Sequence, residues 1–394
     1  MELREKISGL SEKYFQEIVG IRRHLHAHPE LSFREFETSE YISSILEKWG
    51  IEFRKGYVKT GIIAEIIGSQ QGKFLALRAD MDALPIHENN DLPFRSVNDG
   101  VMHACGHDVH SSVLLGVIRI LKELAPDIKG MINFIFQPGE ERIPGGAKLM
   151  LEEGIFGDQK PDLVMAQHVF PDLEAGKAGF RPGIYMASSD EIFITIRGKG
   201  GHAALPEQLV DPVLITAQML VALQQVSSRN NKPGVPTVLS FGRVIADGAV
   251  NVIPDEVRIE GTFRTMDEEW RYRAHDIIRK IAMNTAASSG GTAEVEIRNG
   301  YPVLTNDESL TPVIAGFAGE YLGKENVANL DIRMTAEDFA YFSREYPSIM
   351  YRLGTAEPGT RGAPLHTSGF YVDENAIKYG MELMSYLAIK FLSM

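Results

Sequence analysis

The spacing of hydrophobic and polar positions changes twice along this chain. Over residues 2–50, apolar residues recur at helical spacing among charges, in two stretches separated at "HPELSF". Pro29 cannot continue a helix there, so the spacing predicts two amphipathic helices. From residue 60 the pattern tightens into short, mostly apolar runs: "TGIIAEIIG" (60–68), "KFLALRADMD" (73–82), "GMINFIFQP" (130–138) and "DLVMAQHV" (162–169). Runs of this kind suit strands buried on both faces of a parallel sheet. Between them, "HSSVLLGVIRILKELA" (110–125) and "GGAKLMLEEG" (145–154) return to the helical period. The alternation predicts an α/β fold, a mostly parallel sheet with helices on both faces.

Near residue 187 the period becomes a strict two. "SDEIFITIRGKG" (189–200), "PTVLSFGRVIA" (236–246), "DEVRIEGTFRT" (255–265) and "AEVEIRN" (293–299) alternate like half-exposed strands, with helices expected over 210–229 and 267–288. Strand–helix–strand–strand–helix–strand predicts a two-layer, ferredoxin-like α+β module with its helices on one face of an antiparallel sheet. After about residue 300 the chain returns to helix and strand and closes with "NAIKYGMELMSYLAIKFL". The expected organisation is a discontinuous larger domain, residues 1–186 and 300–394, interrupted by a smaller one over 187–299. A chain of 394 residues agrees with two cores rather than one.

Composition then narrows the possible partners. A net charge of -13 argues against nucleic acid, because phosphate binding needs a basic face, although a small anionic substrate responds only to local charge. No run approaches the ~18–20 apolar residues of a membrane helix, and the first residues carry no apolar signal-peptide core. The single cysteine, Cys105, excludes an intrachain disulfide. A cytoplasmic protein without a membrane partner is the expectation.

Polar residues that can do chemistry follow the predicted strands, where open α/β sheets place their ligand sites. Asp80 and Asp82 end one strand; Cys105, His107 and Asp108 lie in the next loop; Glu140 and Glu141 follow "FQPG"; His168 and the distant His366 complete the set. Thiolate, imidazole and carboxylate together suffice for one or two first-row metal ions. Of two adjacent glutamates, one can ligate while the other takes a proton from an activated water. Each residue also has a plainer reading: a cysteine as apolar filler, a histidine satisfied in the core, a glutamate pair in solvent. In "HLHAHPE", His24 and His28 share a helix face that His26 does not, which favours a structural role over ligation. "GKGGHAALP" (198–206) lacks the Lys-Ser/Thr ending of a phosphate loop and instead presents His202 on a glycine-rich turn. Asn251 and Arg264 are candidates for holding an amide and a carboxylate, or else turn polarity and a surface ion pair.

Taken in order, "RRHLHAHPELSF", "LRADMDALP", "MHACGHDVH", "FQPGEE", "GKGGHAALP", "NVIPD", "AEDFAYF" and "LHTSGF" span nearly the whole chain. Together they resemble the metal-dependent amidohydrolases that include hippurate hydrolase, auxin-conjugate hydrolases and N-acetyl-amino-acid deacetylases, relatives of aminoacylase and carboxypeptidase G. The resemblance implies a zinc-exopeptidase-like catalytic domain with a dinuclear metal site and an inserted lid domain that forms a homodimer. It implies Cys105, His107, Glu141, His168 and His366 as ligands, with Cys105 bridging, Glu140 as general base and His202 as oxyanion donor. The wider family has a ligand histidine in a His-x-Asp motif where this chain has Asp80-Met81-Asp82, which leaves the role of Asp80 open. The implied reaction is hydrolysis of the amide of an N-acyl (acetyl- or benzoyl-type) amino acid, with short peptides as the alternative substrate. Thiolate and imidazole favour zinc; manganese, cobalt and nickel also suit a dinuclear site with carboxylates.

Overall fold

The computed structural model describes residues 2–394 and divides the chain into two compact units. The larger unit comprises Met1–Tyr185, Thr305–Asp331 and Asp338–Met394. Its eight-stranded sheet runs Glu52–Tyr57, Gly61–Ile67, Lys129–Gln137, Gln70–Asp80, Leu163–Glu174, Ser348–Ala356, Ala178–Phe180 and Val327–Asn329. The four strands from Lys129–Gln137 to Ser348–Ala356 pair in parallel; the hairpin at one edge is antiparallel, and at the other Ala178–Phe180 runs antiparallel to Ser348–Ala356 and parallel to Val327–Asn329. The apolar halves of the central strands are fully buried, so the sheet is covered where it is parallel. Their ends coincide: Asp80 and Gln137 are register partners and each is the last residue of its strand.

The first helix runs Leu3–Ala27 and stops two residues before Pro29; the second runs Phe36–Lys48. Helix His107–Leu124 packs against Leu3–Ala27 and Asn375–Leu392 around a core that includes Ile18, Val113, Ile118 and Met381. Each fully buried side chain of this kind contributes roughly 1.5–3 kcal/mol. Gly116 sets how near two of these helices come, since a Cβ there would lie 2.0 Å from the Met381 sulfur. Helix His107–Leu124 starts three residues before the predicted 110. Gly106, at φ 79°, begins it in a left-handed conformation that would be strained for other residues. A Cβ on Gly106 would also meet Val169 at 2.6 Å. The early start puts His107 on the first turn of a rigid helix.

The smaller unit comprises Met186–Leu304 and Ile332–Glu337. Its four-stranded sheet is antiparallel throughout, in the order Thr237–Ile245, Glu256–Thr265, Asp190–Arg197, Thr292–Asn299. Ile192, Ile194 and Ile196 alternate into its core, and helices Pro212–Leu223 and Glu268–Ser288 cover that face. The expected span of 187–299 lacks residues 332–337. They join this unit through backbone: Ala187 N–H donates to the carbonyls of Arg333 and Thr335. The predicted helix over 210–229 ends at Leu223 and continues as a short π-helical turn, Val226–Asn230.

Candidate metal centre and active site

Five of the residues singled out above converge in the larger unit. Cys105 Sγ lies 3.6 Å from His168 Nε2 and 3.3 Å from His366 Nε2. His366 Nε2 is 3.2 Å from Glu141 Oε1, and His107 Nε2 is 3.9 Å from that same oxygen. Cys105, His107 and His168 form one set of mutually close donor atoms, Cys105, Glu141 and His366 a second, and His107, Glu140 and Glu141 a third. Ligand atoms bound to one zinc at ~2.0–2.3 Å stand about 3.5 Å apart in a tetrahedron, close to the spacing here.

What makes the cluster competent for metal is the other nitrogen of each ring. His168 Nδ1 lies 2.8 Å from the Val169 carbonyl, which can only accept, so Nδ1 carries the proton and Nε2 keeps its lone pair for the cluster. His107 Nδ1 lies 3.2 Å from Asp82 Oδ1, which leaves its Nε2 facing inward in the same way. A metal-binding imidazole needs this arrangement, with the distal N–H held by a carbonyl or carboxylate. His107 Nε2 is buried and finds no hydrogen-bond partner among the described residues. Buried polar atoms of this kind are uncommon and call for an explanation, which a bound cation would supply.

Electrostatics point the same way. Hydrogen bonds to Cys105 and Glu141 push His366 up to about 10. Burial works against charging His107, but Asp80, Asp82 and Cys105 outweigh it and hold its imidazole well above the usual range. Burial, reinforced by Glu141, raises the Cys105 thiol. The cluster thus holds protons because it lacks positive charge, a role a divalent cation fills while releasing them. The residues fit the metal.

The glutamate loop is fixed from beneath. Both oxygens of Asp82 accept backbone N–H groups, from Glu140 at 3.1 Å and Glu141 at 2.9 Å, while Ser32 donates to it at 2.6 Å. Gly139, at φ 61°, donates its N–H to Glu35 Oε1 at 2.8 Å, and a Cβ there would strike the Phe33 ring at 2.4 Å. Glu140 is 5% exposed, and its Oε1 accepts from Asp338 N–H at 3.4 Å. Under the strand ends, buried Arg78 spans Gln137, Asp80 and Asp338. Asp80 Oδ1 accepts from His110 Nδ1 at 2.6 Å, and its Oδ2 lies 3.7 Å from His107 Nε2. Burial opposes its ionisation, but His107, Arg78 and His110 hold the carboxyl well below the usual range.

The smaller unit holds the other three residues. His202 is exposed on the two-residue strand Gly201–His202, opposite Val252, and its Nδ1 accepts from Ala204 N–H at 3.1 Å. Asn251 adjoins it, its carbonyl accepting from Ala203 N–H at 3.0 Å. Arg264 is half-buried on strand Glu256–Thr265; burial lowers its pKa, and it donates to the Met334 carbonyl at 3.2 Å with no carboxylate partner among the described residues. Asp82, Glu35 and Asp338 were not singled out for these supporting contacts. Asp338 lies in "AEDFAYF", which was noted as a motif, and Glu35 lies in "SFREF", which reads as a solvated helix start. In the histidine tract it is His26 that is buried, between Asp108 at 2.8 Å and Glu88 at 3.0 Å, while His24 stacks on His28 and Tyr41.

A discontinuous α/β unit whose strand ends gather thiol, imidazoles and carboxylates defines the class as a metal-dependent hydrolase. The comparisons are specific: the family model described as Peptidase family M20/M25/M40 matches residues 76–390, and the chain belongs to that family. An N-acyl-L-amino acid amidohydrolase of Geobacillus stearothermophilus is 43% identical over 306 residues, covering 77% of this chain and 82% of that protein. Thermostable carboxypeptidase 1 of Saccharolobus solfataricus is 36% identical over 396 residues, covering 99% of each. Among solved structures, the YXEP protein of Bacillus subtilis, described as a dinuclear metal binding peptidase from the M20 family, superposes with a TM-score of 0.84 at 35% identity. That match covers 97% of this chain and 99% of the other.

Proposed function

We propose that this chain hydrolyses the amide bond of N-acyl amino acids, of the acetyl or benzoyl type, to a carboxylic acid and a free amino acid. The observation that carries the reading is the convergence of one thiol, one carboxylate and three imidazole Nε2 atoms, two with their distal nitrogens tied. Cys105, His107, Glu141, His168 and His366 would hold two divalent ions. When bound, the ions supply Lewis acidity, which acidifies water and polarises the scissile carbonyl. A thiolate among imidazoles favours zinc; manganese, cobalt or nickel would also fit the carboxylates. A free thiol that must stay reduced to serve as a ligand fits a cytoplasmic setting.

Glu140 takes the proton of the attacking water and delivers it to the departing amine nitrogen. His202 donates to the oxyanion, Asn251 holds the amide and Arg264 pairs with the substrate carboxylate. Arg264 suits that role because it has no acidic partner of its own. The smaller unit acts as a lid and forms a homodimer. Supporting this, helix Pro212–Leu223 exposes Leu214 and Val221, 58% and 74% exposed and seven residues apart, beside a sheet with an uncovered edge strand.

Short peptides are the second reading, raised by the carboxypeptidase relative. Both substrates share the scissile amide and the terminal carboxylate and differ only on the acyl side. Relative kcat/KM for N-acetyl-, N-benzoyl- and N-aminoacyl-derivatives of one amino acid, on protein refilled with each ion, tests the reading. Higher values for the dipeptide would replace the amidohydrolase with a peptidase.

A further inference from the structure

Within the larger unit, a second cavity of about 320 Å³ lies among helices Leu3–Ala27, Leu310–Leu322 and Asn375–Leu392 and the turn at Gly176. It falls in the usual range for small-molecule sites, roughly 300–1,000 Å³, and none of its lining residues belongs to the metal cluster. Four charged side chains line it, and two are already satisfied: Lys177 and Glu174 pair with each other at 2.8 Å. The other two are not. Arg4 is exposed, with its guanidinium 5.4 Å from the centre of the Tyr321 ring and no carboxylate partner among the described residues. Glu382 is 6% exposed, and its Oε1 is buried without a hydrogen-bond partner.

Tyr321 holds these two charges apart. Arg4 lies over its ring face, and its hydroxyl is hydrogen-bonded to Glu382, which Ser8 and Ser11 also reach, so a guanidinium without a carboxylate partner and a carboxyl with one unmatched oxygen sit at two ends of one phenol. Leu322 and Tyr379 supply apolar wall between them. A carboxyl left in a dry position with one oxygen unmatched costs stability unless a donor reaches it. Burial pushes the Glu382 carboxyl above its usual range, against the hydrogen bond from Tyr321, the nearby Lys378 and hydrogen bonds from Ser11 and Ser8. A ligand that presents an ammonium to Glu382 and a carboxylate to Arg4 would satisfy both ends.

We propose that this cavity binds a free α-amino acid as a zwitterion, its ammonium on Glu382, its carboxylate on Arg4 and its side chain against Leu322 and Tyr379. The juxtaposition of the Arg4 guanidinium and the unmatched Glu382 oxygen across Tyr321 carries the proposal, and it stands whether or not the metal site acts on N-acyl amino acids. If it does, the cavity takes the kind of molecule that the reaction releases.

Isothermal titration of the metal-loaded full chain with L-leucine tests it, with leucinamide (no carboxylate) and 4-methylpentanoate (no ammonium) as controls. The expected result is an L-leucine site that is weakened at least tenfold in both Glu382→Gln and Arg4→Gln and not filled by either control, whether or not a second leucine site at the metal centre accompanies it. Metal content and turnover without added leucine stay unchanged in both variants, which separates this outcome from any failure of the metal-site reading. No leucine binding in the unaltered protein, or binding that survives both substitutions in full, overturns the proposal. Arg4 is on the surface, so its variant gives an answer even if Glu382→Gln perturbs helix packing.

Discussion

His168 and His202 are both single histidines on strands, and they could hardly be placed more differently. His168 is 5% exposed, its Nδ1 fixed by a carbonyl and its Nε2 aimed at Cys105. His202 is exposed on a two-residue strand, and its one recorded side-chain bond is accepted from the backbone two residues ahead. The larger unit spends its interior on holding donor atoms before any ligand arrives. The smaller unit offers side chains whose roles depend on what they meet. Preorganisation is costly without a cation, as the raised His366 and His107 attest, and a bound cation offsets that cost.

The sharpest way to break this contrast is at Glu140. If its carboxylate moves protons without ligating, Glu140→Gln keeps its metal and lowers kcat by ~10⁴-fold or more, at or beyond the upper end for acid–base help. Metal analysis beside single-turnover rates decides; loss of metal would exchange the roles of Glu140 and Glu141. On the other side of the comparison, His202→Ala should lower kcat by ~10²–10³ with metal content intact. Subunit exchange between His202→Ala and Glu140→Gln proteins restores part of the activity if His202 serves the partner's site, and restores none if it serves its own chain. A fully active His202→Ala removes it from the mechanism.

A smaller effect is expected one layer below the donors. Asp82 orients His107 through Nδ1 and holds the N–H groups of both glutamates. Asp82→Asn should weaken metal affinity by ~10–100-fold, the usual loss for a partner of a metal ligand. Competition with a chelator measures it, and unchanged affinity would mean that His107 is held without Asp82.

Much of this was legible in the sequence because periodicity reports burial. "KFLALRAD" is apolar on both faces and became a central strand, and "EIFITIR" alternates and became a strand with one buried face. Residue types at strand ends were enough to nominate Cys105, His107, Glu141, His168 and His366. The tying of distal nitrogens was not legible, since a carbonyl such as that of Val169 carries no sequence signal. The return of residues 332–337 to the smaller unit depends on backbone bonds to Ala187, which again no side-chain pattern records. Helical-face reasoning sets His26 apart from His24 and His28, but its burial between Asp108 and Glu88, both far away in sequence, has no local signal. Glu35 was missed for a related reason. A glutamate among "SFREFET" reads as the polar start of a helix, yet its side chain is wholly buried.

Glu35 gives the mildest test, and the one that reads preorganisation as free energy. Burial, with the neighbouring Asp82 charge, pushes its carboxyl up to about 7, against the hydrogen bonds from Phe33, Gly139 and Thr60 that favour the ionised form. A raised folded-state value means the native protein holds this proton more tightly than the unfolded chain does. The stabilisation is fully present below the unfolded value near 4.5 and is lost as pH rises through about 7. A difference of this size corresponds to about 3 kcal/mol. Denaturant unfolding of chelator-stripped protein at pH 4.5 and pH 8 measures the loss, and Glu35→Gln removes this component while other titrating groups still contribute. The sign of the wild-type minus Glu35→Gln difference is the decisive reading. A wild type that gains stability relative to the variant between pH 4.5 and pH 8 would mean the three donors outweigh burial, and that Glu35 holds the Gly139 N–H as a carboxylate throughout.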